Sequence, residues 1–385
     1  MSFTPYFPRK VESWLLLIFT VTFMINKTQS NLEKLWNYGI GGPERAASIN
    51  PQIVFPCLKA ICDPELDCFE PIVFFIYVTF PPISACPEVI NMKTVRFPVI
   101  SAEDSSRFMT VSEMKPGSSV ALFYPGTGNE YDMQGYLIMA KAVLHKYDYF
   151  IILDWARLSF PRVISTLRLH TINVFLNFVN SIMVGRIGCK FVRFMAKTKK
   201  IEPQDVFILG FSAGSSALSS TADYCKLKYS IKFDHFMAIE LPSIPFRRSN
   251  YKLVNHTHAK FVDMLFTTVV SPIALLDEID SALGKVGYIE AIGDCVYLVN
   301  PKNINSFQPV CFPFQNTACS HGYAMFVFAA AYSDKCVYNY GPCPLLPPNL
   351  GISVPETGTT RLDCRDHPHL KRTCINVGPY PLISC

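Results

Sequence analysis

One stretch constrains this chain more than any other: Val206-Phe207-Ile208-Leu209-Gly210-Phe211-Ser212-Ala213-Gly214-Ser215-Ser216-Ala217-Leu218. An apolar run from Val206 to Leu209 enters Gly-x-Ser-x-Gly, and small residues follow. The run reads as a buried strand and the glycines as a sharp turn presenting Ser212. The small residues read as the thin first turn of a helix packed close behind. Side chains at Gly210 and Gly214 would collide with the neighbouring strand and helix, and the turn holds the serine in strained backbone geometry. A helix starting at Ala213 aims N–H groups and positive dipole at the place where an oxyanion would form beside the serine hydroxyl.

A five-residue motif is short, so the flanking elements decide what it means. Val120 to Tyr124 is an apolar run entering Pro125-Gly126-Thr127-Gly128-Asn129, and Tyr149 to Leu153 is another, ending in Asp154-Trp155. A helical segment from about Gly135 to His145 separates them, which is the βαβ pattern of a parallel sheet. A long helix is predicted over His170 to Lys197, with Val174, Phe178 and Ile182 on one stripe. After the serine, Phe236 to Glu240 reads as a strand ending in a carboxylate, and Phe261 to Val270 as the next strand. Residues 271–310 show no clear pattern. Cys319-Ser320-His321 then opens an apolar helix, Ala324 to Tyr332. These elements predict an α/β-hydrolase fold: a mostly parallel central sheet with helices on both faces.

Composition narrows the setting. The chain has 385 residues, half of them hydrophobic and 17% charged, enough for one large domain with appendages and against disorder. A net charge of +5 is mild and gives no case for nucleic acid, while it would not oppose an anionic lipid surface. Arg9 and Lys10 precede the apolar run Trp14 to Ile25, and Thr28-Gln29-Ser30 offers small residues for cleavage, so residues 1–30 read as a secretory signal. An uncleaved anchor is the alternative, although the run is shorter than the roughly 20 residues of a membrane span. All 14 cysteines follow this segment, and their even number in a secreted chain favours a disulfide framework over metal sites. Their pairing is open; Cys62 and Cys68 could close a small loop. Asn26 and Asn255 head glycosylation sequons, the first of which leaves with the signal. Residues 31–100 form a cysteine-bearing extension in which Ile72 to Phe80 reads as a buried strand. Residues 101–345 form the hydrolase-like domain, and 346–385 a cysteine- and proline-rich tail.

Ser212 is the candidate nucleophile, and a serine needs a general base oriented by a third group. In this fold acid and histidine follow the serine in that order. Glu240, at a strand end, is the candidate acid, with Asp234 and Asp263 as rivals. His321 is the candidate base. His145 and His170 precede the serine, and His235 enters the strand that carries Glu240. His256 and His258 lie in or beside a sequon, and His367 and His369 lie in the tail. Backbone N–H groups of Ala213 and Thr127 are the candidate oxyanion donors. His256-x-His258 and His367-x-His369 lack a convincing third ligand, so no metal and no cofactor is expected.

Over about residues 60–345 these motifs, in order, resemble the pancreatic lipase-like family of animal lipases, phospholipases A1 and yolk-protein relatives. Cys62-x5-Cys68-Phe69 and Pro87-Glu88-Val89-Ile90-Asn91 resemble its mature N-terminus. Tyr124-Pro125-Gly126-Thr127 stands where the family has His-Gly-Phe, Leu153-Asp154-Trp155 for Val-Asp-Trp, and Gly210-Phe211-Ser212-Ala213-Gly214 for Gly-His-Ser-Leu-Gly. Ile239-Glu240-Leu241-Pro242 falls on Leu-Asp-Pro-Ala, and Ala259 to Thr267 resembles Ala-x-Phe-Val-Asp-Val-Ile-His-Thr. Gln308-Pro309-Val310-Cys311 and Ala318-Cys319-Ser320-His321 resemble the cysteine pair that brackets the lid and the histidine beyond it. The resemblance implies a secreted serine hydrolase of lipid esters with Ser212, Glu240 and His321 as its triad, a Cys311–Cys319 disulfide, and transient contact with a lipid surface. The chain departs from the family in Glu for Asp, in Pro125 and Phe211 for histidines, in a seven-residue lid loop and in lacking a C-terminal lipid-docking domain. Short-lid members favour phospholipid or have altered specificity. The rival expectation is an inactive lipase-fold protein that binds lipid or a receptor. N-terminal sequencing of the protein recovered from culture medium should begin at Asn31; a start at Met1 in a membrane pellet would establish the anchor instead.

Overall fold

Along the strand leading to Ser212, Val206 and Ile208 belong to one apolar cluster, Phe207, Leu209 and Phe211 to another, and all five are buried. Successive strand side chains point to opposite faces, so a strand apolar on both must be covered by helices on both. The computed structural model describes residues 53–54, 57, 59–74, 83–87, 95–127, 132–156, 158–159, 170–242, 253–268, 293–301, 307–314, 317–334, 336–342, 357–366 and 372–377. The signal segment and the Asn26 sequon lie outside them, as do His367 and His369.

The main sheet has ten strands: β1 (Val99–Ser101), β2 (Val120–Tyr124), β3 (Tyr149–Ile152), β4 (Val206–Phe211), β5 (Phe233–Ile239), β6 (Ala259–Phe266), β7 (Cys295–Val299), β8 (Tyr338–Gly341), β9 (Gly358–Thr360) and β10 (Arg372–Ile375). Their order is β9-β8-β10-β7-β6-β5-β4-β2-β3-β1. From β3 through β10 the neighbours are parallel, and β1, β8 and β9 run antiparallel at the two edges. Helices α2 (His170–Lys199) and α3 (Ala213–Tyr229) cover one face; α1 (Gln134–Val143) and α4 (Thr317–Tyr332) cover the other. This is the α/β-hydrolase architecture. All the parallel strands therefore end on one side, and the residues that follow β2, β4, β5, β6 and β7 are Pro125, Ser212, Glu240, Thr267 and Asn300. Open α/β sheets carry their sites there.

Elements differ from the sequence pattern where long-range pairing decided. Strand β7 lies in the stretch 271–310 that gave no pattern, because a five-residue apolar run inside mixed sequence has no period of its own. Strand β6 ends at Phe266, short of Val270, and Ile72 to Phe80 is described as strand only over Ile72–Phe74. That strand pairs with Ile83–Pro87, which pairs with Ile53–Val54. Helix α4 starts at Thr317, so His321 sits inside it and does not precede it. The tail supplies two strands of the main sheet, and β10 is inserted between β7 and β8.

Disulfides join Cys57 to Cys86, Cys62 to Cys68, Cys189 to Cys225, Cys295 to Cys364 and Cys311 to Cys319. Cys336 and Cys374 are also disulfide-bonded, and no described cysteine is free. The Cys62–Cys68 hairpin is docked on α2 by Arg186, which donates to Leu66 O (2.7 Å) and Cys68 O (2.8 Å) and lies 4.1 Å over the Phe69 ring. Asn255 is half-buried in a turn in which its Oδ1 accepts from Thr257 N–H at 2.9 Å. No described helix is long and apolar enough to cross a membrane. A chain terminated after residue 345 loses β9, β10 and the partner of Cys295; secretion assays should find it retained and aggregated, whereas a dispensable tail would leave secretion intact.

Candidate active site

Ser212 follows β4 and precedes α3 with φ 54° and ψ −127°, a conformation that costs a side-chain-bearing residue about 1–3 kcal/mol. Its glycine neighbours leave no alternative. A Cβ on Gly214 would lie 2.1 Å from Tyr124 O, and one on Gly210 would lie 2.7 Å from the Ser215 backbone. Helix α3 thus packs directly on the end of β2. Ser212 N–H donates to Ile239 O (2.9 Å) and Glu240 N–H to Leu265 O (2.8 Å), carrying the ladder one residue past each strand. Glu240 also has a left-handed φ of 53°. Both residues turn out of the sheet at its carboxyl edge, side by side.

The Glu240 side chain is only 2% exposed, so its charge must be met by donors. Oε1 accepts from the Thr267 backbone N–H, from Thr268 N–H (3.2 Å) and from the Thr267 hydroxyl (2.8 Å), which also faces Ser320 O at 2.6 Å. Oε2 lies 2.9 Å from His321 Nδ1. With Nδ1–H held by the carboxylate, Nε2 is the ring nitrogen left to accept a proton. The Phe211 ring packs 4.9 Å from the imidazole, tilted by 40°. Among the described residues no hydrogen bond joins Ser212 Oγ to His321. Structures without substrate often hold that contact open.

Gly126 brings the loop after β2 against the serine: a Cβ there would lie 3.2 Å from Ser212 Cβ. The loop is clamped from both sides. Gly126 N–H donates to the Tyr136 hydroxyl (2.9 Å) and the Trp155 indole N–H donates to Pro125 O (2.8 Å). This sets the Gly126–Thr127 peptide beside Ser212, next to the N-terminus of α3. Ala213 is the first residue of that helix, so its N–H has no carbonyl a turn earlier to bond. Ala213 follows the serine directly, and Thr127 follows Gly126 in the loop held against it.

The rival carboxylates are elsewhere. Asp234 faces Lys260 (3.4 Å) at the start of β5. Asp263 is fully buried and its Oδ2 lies 2.6 Å from His235 Nε2. Burial pushes the Asp263 carboxyl up, against the pull of His235. His235, Asp263 and Asp363 come within metal-ligating reach of one another, but Arg365 donates to both oxygens of Asp363 (2.9 and 2.6 Å). Asp263 Oδ2 is taken by His235 and Cys364 N–H, so two of the three groups are already engaged by neighbours other than a metal. His258 is buried beside Asp223 (3.5 Å), and His145 is exposed past α1. Of the described histidines, His321 alone meets Glu240.

Sequence reading missed three supporting residues. Thr267, directly after β6, supplies two of the bonds to Glu240; Tyr136 and Trp155 fix the Pro125–Thr127 loop. The available signal was position for Trp155, which follows a predicted strand closely; Thr267 lay inside the strand predicted over Phe261 to Val270, and Tyr136, inside a helix, carried none.

No family model matches the chain, and no curated protein does. Among solved structures it is similar to an arylesterase, at 11% identity over 80% of this chain and 97% of that one, with a TM-score of 0.32. It is also similar to esterase PE8 (14% identity, 53% of this chain and 87% of that one, TM-score 0.31). A dienelactone hydrolase from Anabaena variabilis ATCC 29413 shows 12% identity over 63% and 82%, with a TM-score of 0.28. Likenesses this remote say nothing about what the chain acts on; its fold is carried by its own sheet order and by the turn at Ser212.

Thr267→Val preserves shape and deletes the hydroxyl that lies between Glu240 and Ser320. Leaving those buried acceptors short of a donor should destabilise the protein by about 1–3 kcal/mol, read as a lower midpoint in urea at unchanged slope. An unchanged midpoint would mean the hydroxyl is not engaged.

Proposed function

We propose that this chain is a serine ester hydrolase whose substrates are lipid esters, of the phospholipase A1 or triacylglycerol lipase kind. The observation that carries the reading is the meeting of Glu240 and His321 at 2.9 Å, one strand away from a serine held at φ 54° on a glycine-flanked turn. Ser212 Oγ attacks the acyl carbonyl while His321 Nε2 takes its proton; Glu240 holds Nδ1–H and stabilises the imidazolium. The tetrahedral oxyanion accepts from the Thr127 and Ala213 N–H groups, each worth about 10²–10³ in turnover. Collapse breaks the ester C–O bond, His321 returns the proton to the departing alcohol, and water releases the acid from the acyl-serine by the same steps in reverse. No metal or cofactor enters this chemistry.

The lipid class is supported by motif order, from Cys62-x5-Cys68 to Cys319-Ser320-His321, and by the Cys311–Cys319 bridge, which encloses a loop containing Phe312 and Phe314. Fourteen cysteines, none free among those described, support an oxidising, extracellular setting. One observation favours the second reading, a lipase-fold binding protein without activity: Phe211 packs on His321 while Ser212 and His321 make no hydrogen bond.

A fluorophosphonate probe should label the secreted protein, and Ser212→Ala should abolish labelling. Fatty acid release from phospholipid vesicles and triacylglycerol emulsion should fall with it by about 10⁴-fold or more. Glu240→Gln keeps the shape and releases the imidazole tautomer, for a loss of about 10⁴-fold. A folded protein that neither labels nor releases acid would leave the binding reading.

A further inference from the structure

Gln308 is completely buried just before the Cys311–Cys319 bridge, and its hydrogen-bonding groups are spent on the ends of β6 and β7 and on Ser320 beside His321. Its side-chain Nε2 donates to Thr267 O and to Val299 O (3.1 Å). Its Oε1 accepts from Asn300 Nδ2 at 2.9 Å, and its backbone N–H donates to Ser320 Oγ at 2.9 Å. The orientation of the amide is fixed by its partners, because the flipped form would set Oε1 against two carbonyl oxygens. Asn300 is in turn anchored: its Oδ1 accepts from Val377 N–H (2.7 Å) and its own N–H donates to Ile375 O (2.8 Å).

These bonds close a ring. Thr267 binds the Glu240 carboxylate through its N–H and hydroxyl, the same hydroxyl faces Ser320 O, and Gln308 joins Thr267 O to Ser320 Oγ. Ser320 immediately precedes His321. The ends of β6 and β7, the start of α4 and the strand β10 of the tail are therefore held at one buried amide. Each group in the ring is desolvated, so a shift of one leaves another unpaired, and buried polar networks of this kind are stiff.

We infer that Gln308 is a positioning residue: it touches neither substrate nor the reacting atoms, and it sets the separation and angle between Glu240 and His321. The inference rests on the hydrolase reading for its kinetic consequence, but its geometric content stands without activity. Gln308→Met retains length and removes all three side-chain bonds. Proton NMR of the parent protein should show the low-field resonance of an imidazole N–H bonded to a carboxylate, absent in His321→Ala. In Gln308→Met that resonance should move upfield and broaden. The rate of fluorophosphonate labelling should fall about 10-fold or more. Asn180→Leu, which deletes a buried amide bonded to Leu158 O (2.8 Å) on the opposite face of the sheet, controls for general destabilisation and should leave the resonance unchanged. Asn300→Ser, which leaves Gln308 its bonds to Thr267 and Val299 but withdraws the donor to Oε1 and the acceptor of Val377 N–H, serves as the milder variant and should shift the resonance in the same direction.

An unmoved resonance in folded Gln308→Met overturns the inference, as does the same shift in Asn180→Leu. Failure of both Gln308→Met and Asn300→Ser to fold also overturns it, because the network then supports the fold alone. A parent protein that shows the resonance but takes no probe keeps the positioning role and removes the hydrolase reading.

Discussion

A buried carboxylate with four donors is the interaction on which the rest of this site depends. Glu240 sits 3% exposed at the end of β5, and an ion so placed persists only where its oxygens are fully bonded. Its donors come from the end of β6 and from α4, so meeting the charge fixes where a strand ends and where a helix starts. Placing the carboxylate in turn places His321, and Glu240 leaves the strand end through a left-handed turn.

The serine is placed by a different kind of constraint. Among the described residues no side-chain hydrogen bond holds Ser212; close packing does. The missing Cβ atoms of Gly210 and Gly214 let α3 press against the ends of β4 and β2, and the serine is forced into the one turn that remains. On the third side the loop after β2 is held by Tyr136 and Trp155, so the candidate oxyanion donors are fixed by partners in two other elements. Where the lipase-like pattern has a histidine before the serine, Phe211 here gives the imidazole an apolar wall in place of a hydrogen-bonding neighbour. A wall restricts the ring without competing for its nitrogens.

The tail shows how far the site reaches through the sheet. Strand β10 lies between β7 and β8, and through Val377 and Ile375 it anchors Asn300, which holds Gln308, which holds Thr267 and Ser320. Residues far from Glu240 in sequence are a few hydrogen bonds from it in space.

The sequence by itself singled out the elbow, the order of candidate serine, acid and histidine, and the existence, though not every boundary, of the strands between Val120 and Phe266. These are local facts, because apolar runs, glycine spacing and strand ends are written in consecutive residues. It also singled out Glu240 and His321 over their rivals, since only they stood at a strand end and beside a cysteine-tethered helix. It left β7 and the role of the tail unread, because a short apolar run acquires its place only from the strands that pair with it. It gave no sign of Tyr136, Thr267 or Gln308 as supports, since a hydroxyl or an amide looks the same in sequence whether it is solvated or bonded to buried partners. Which carboxylate met which histidine, and what held them there, only tertiary structure decided: burial converts those polar groups from neutral to obligatory.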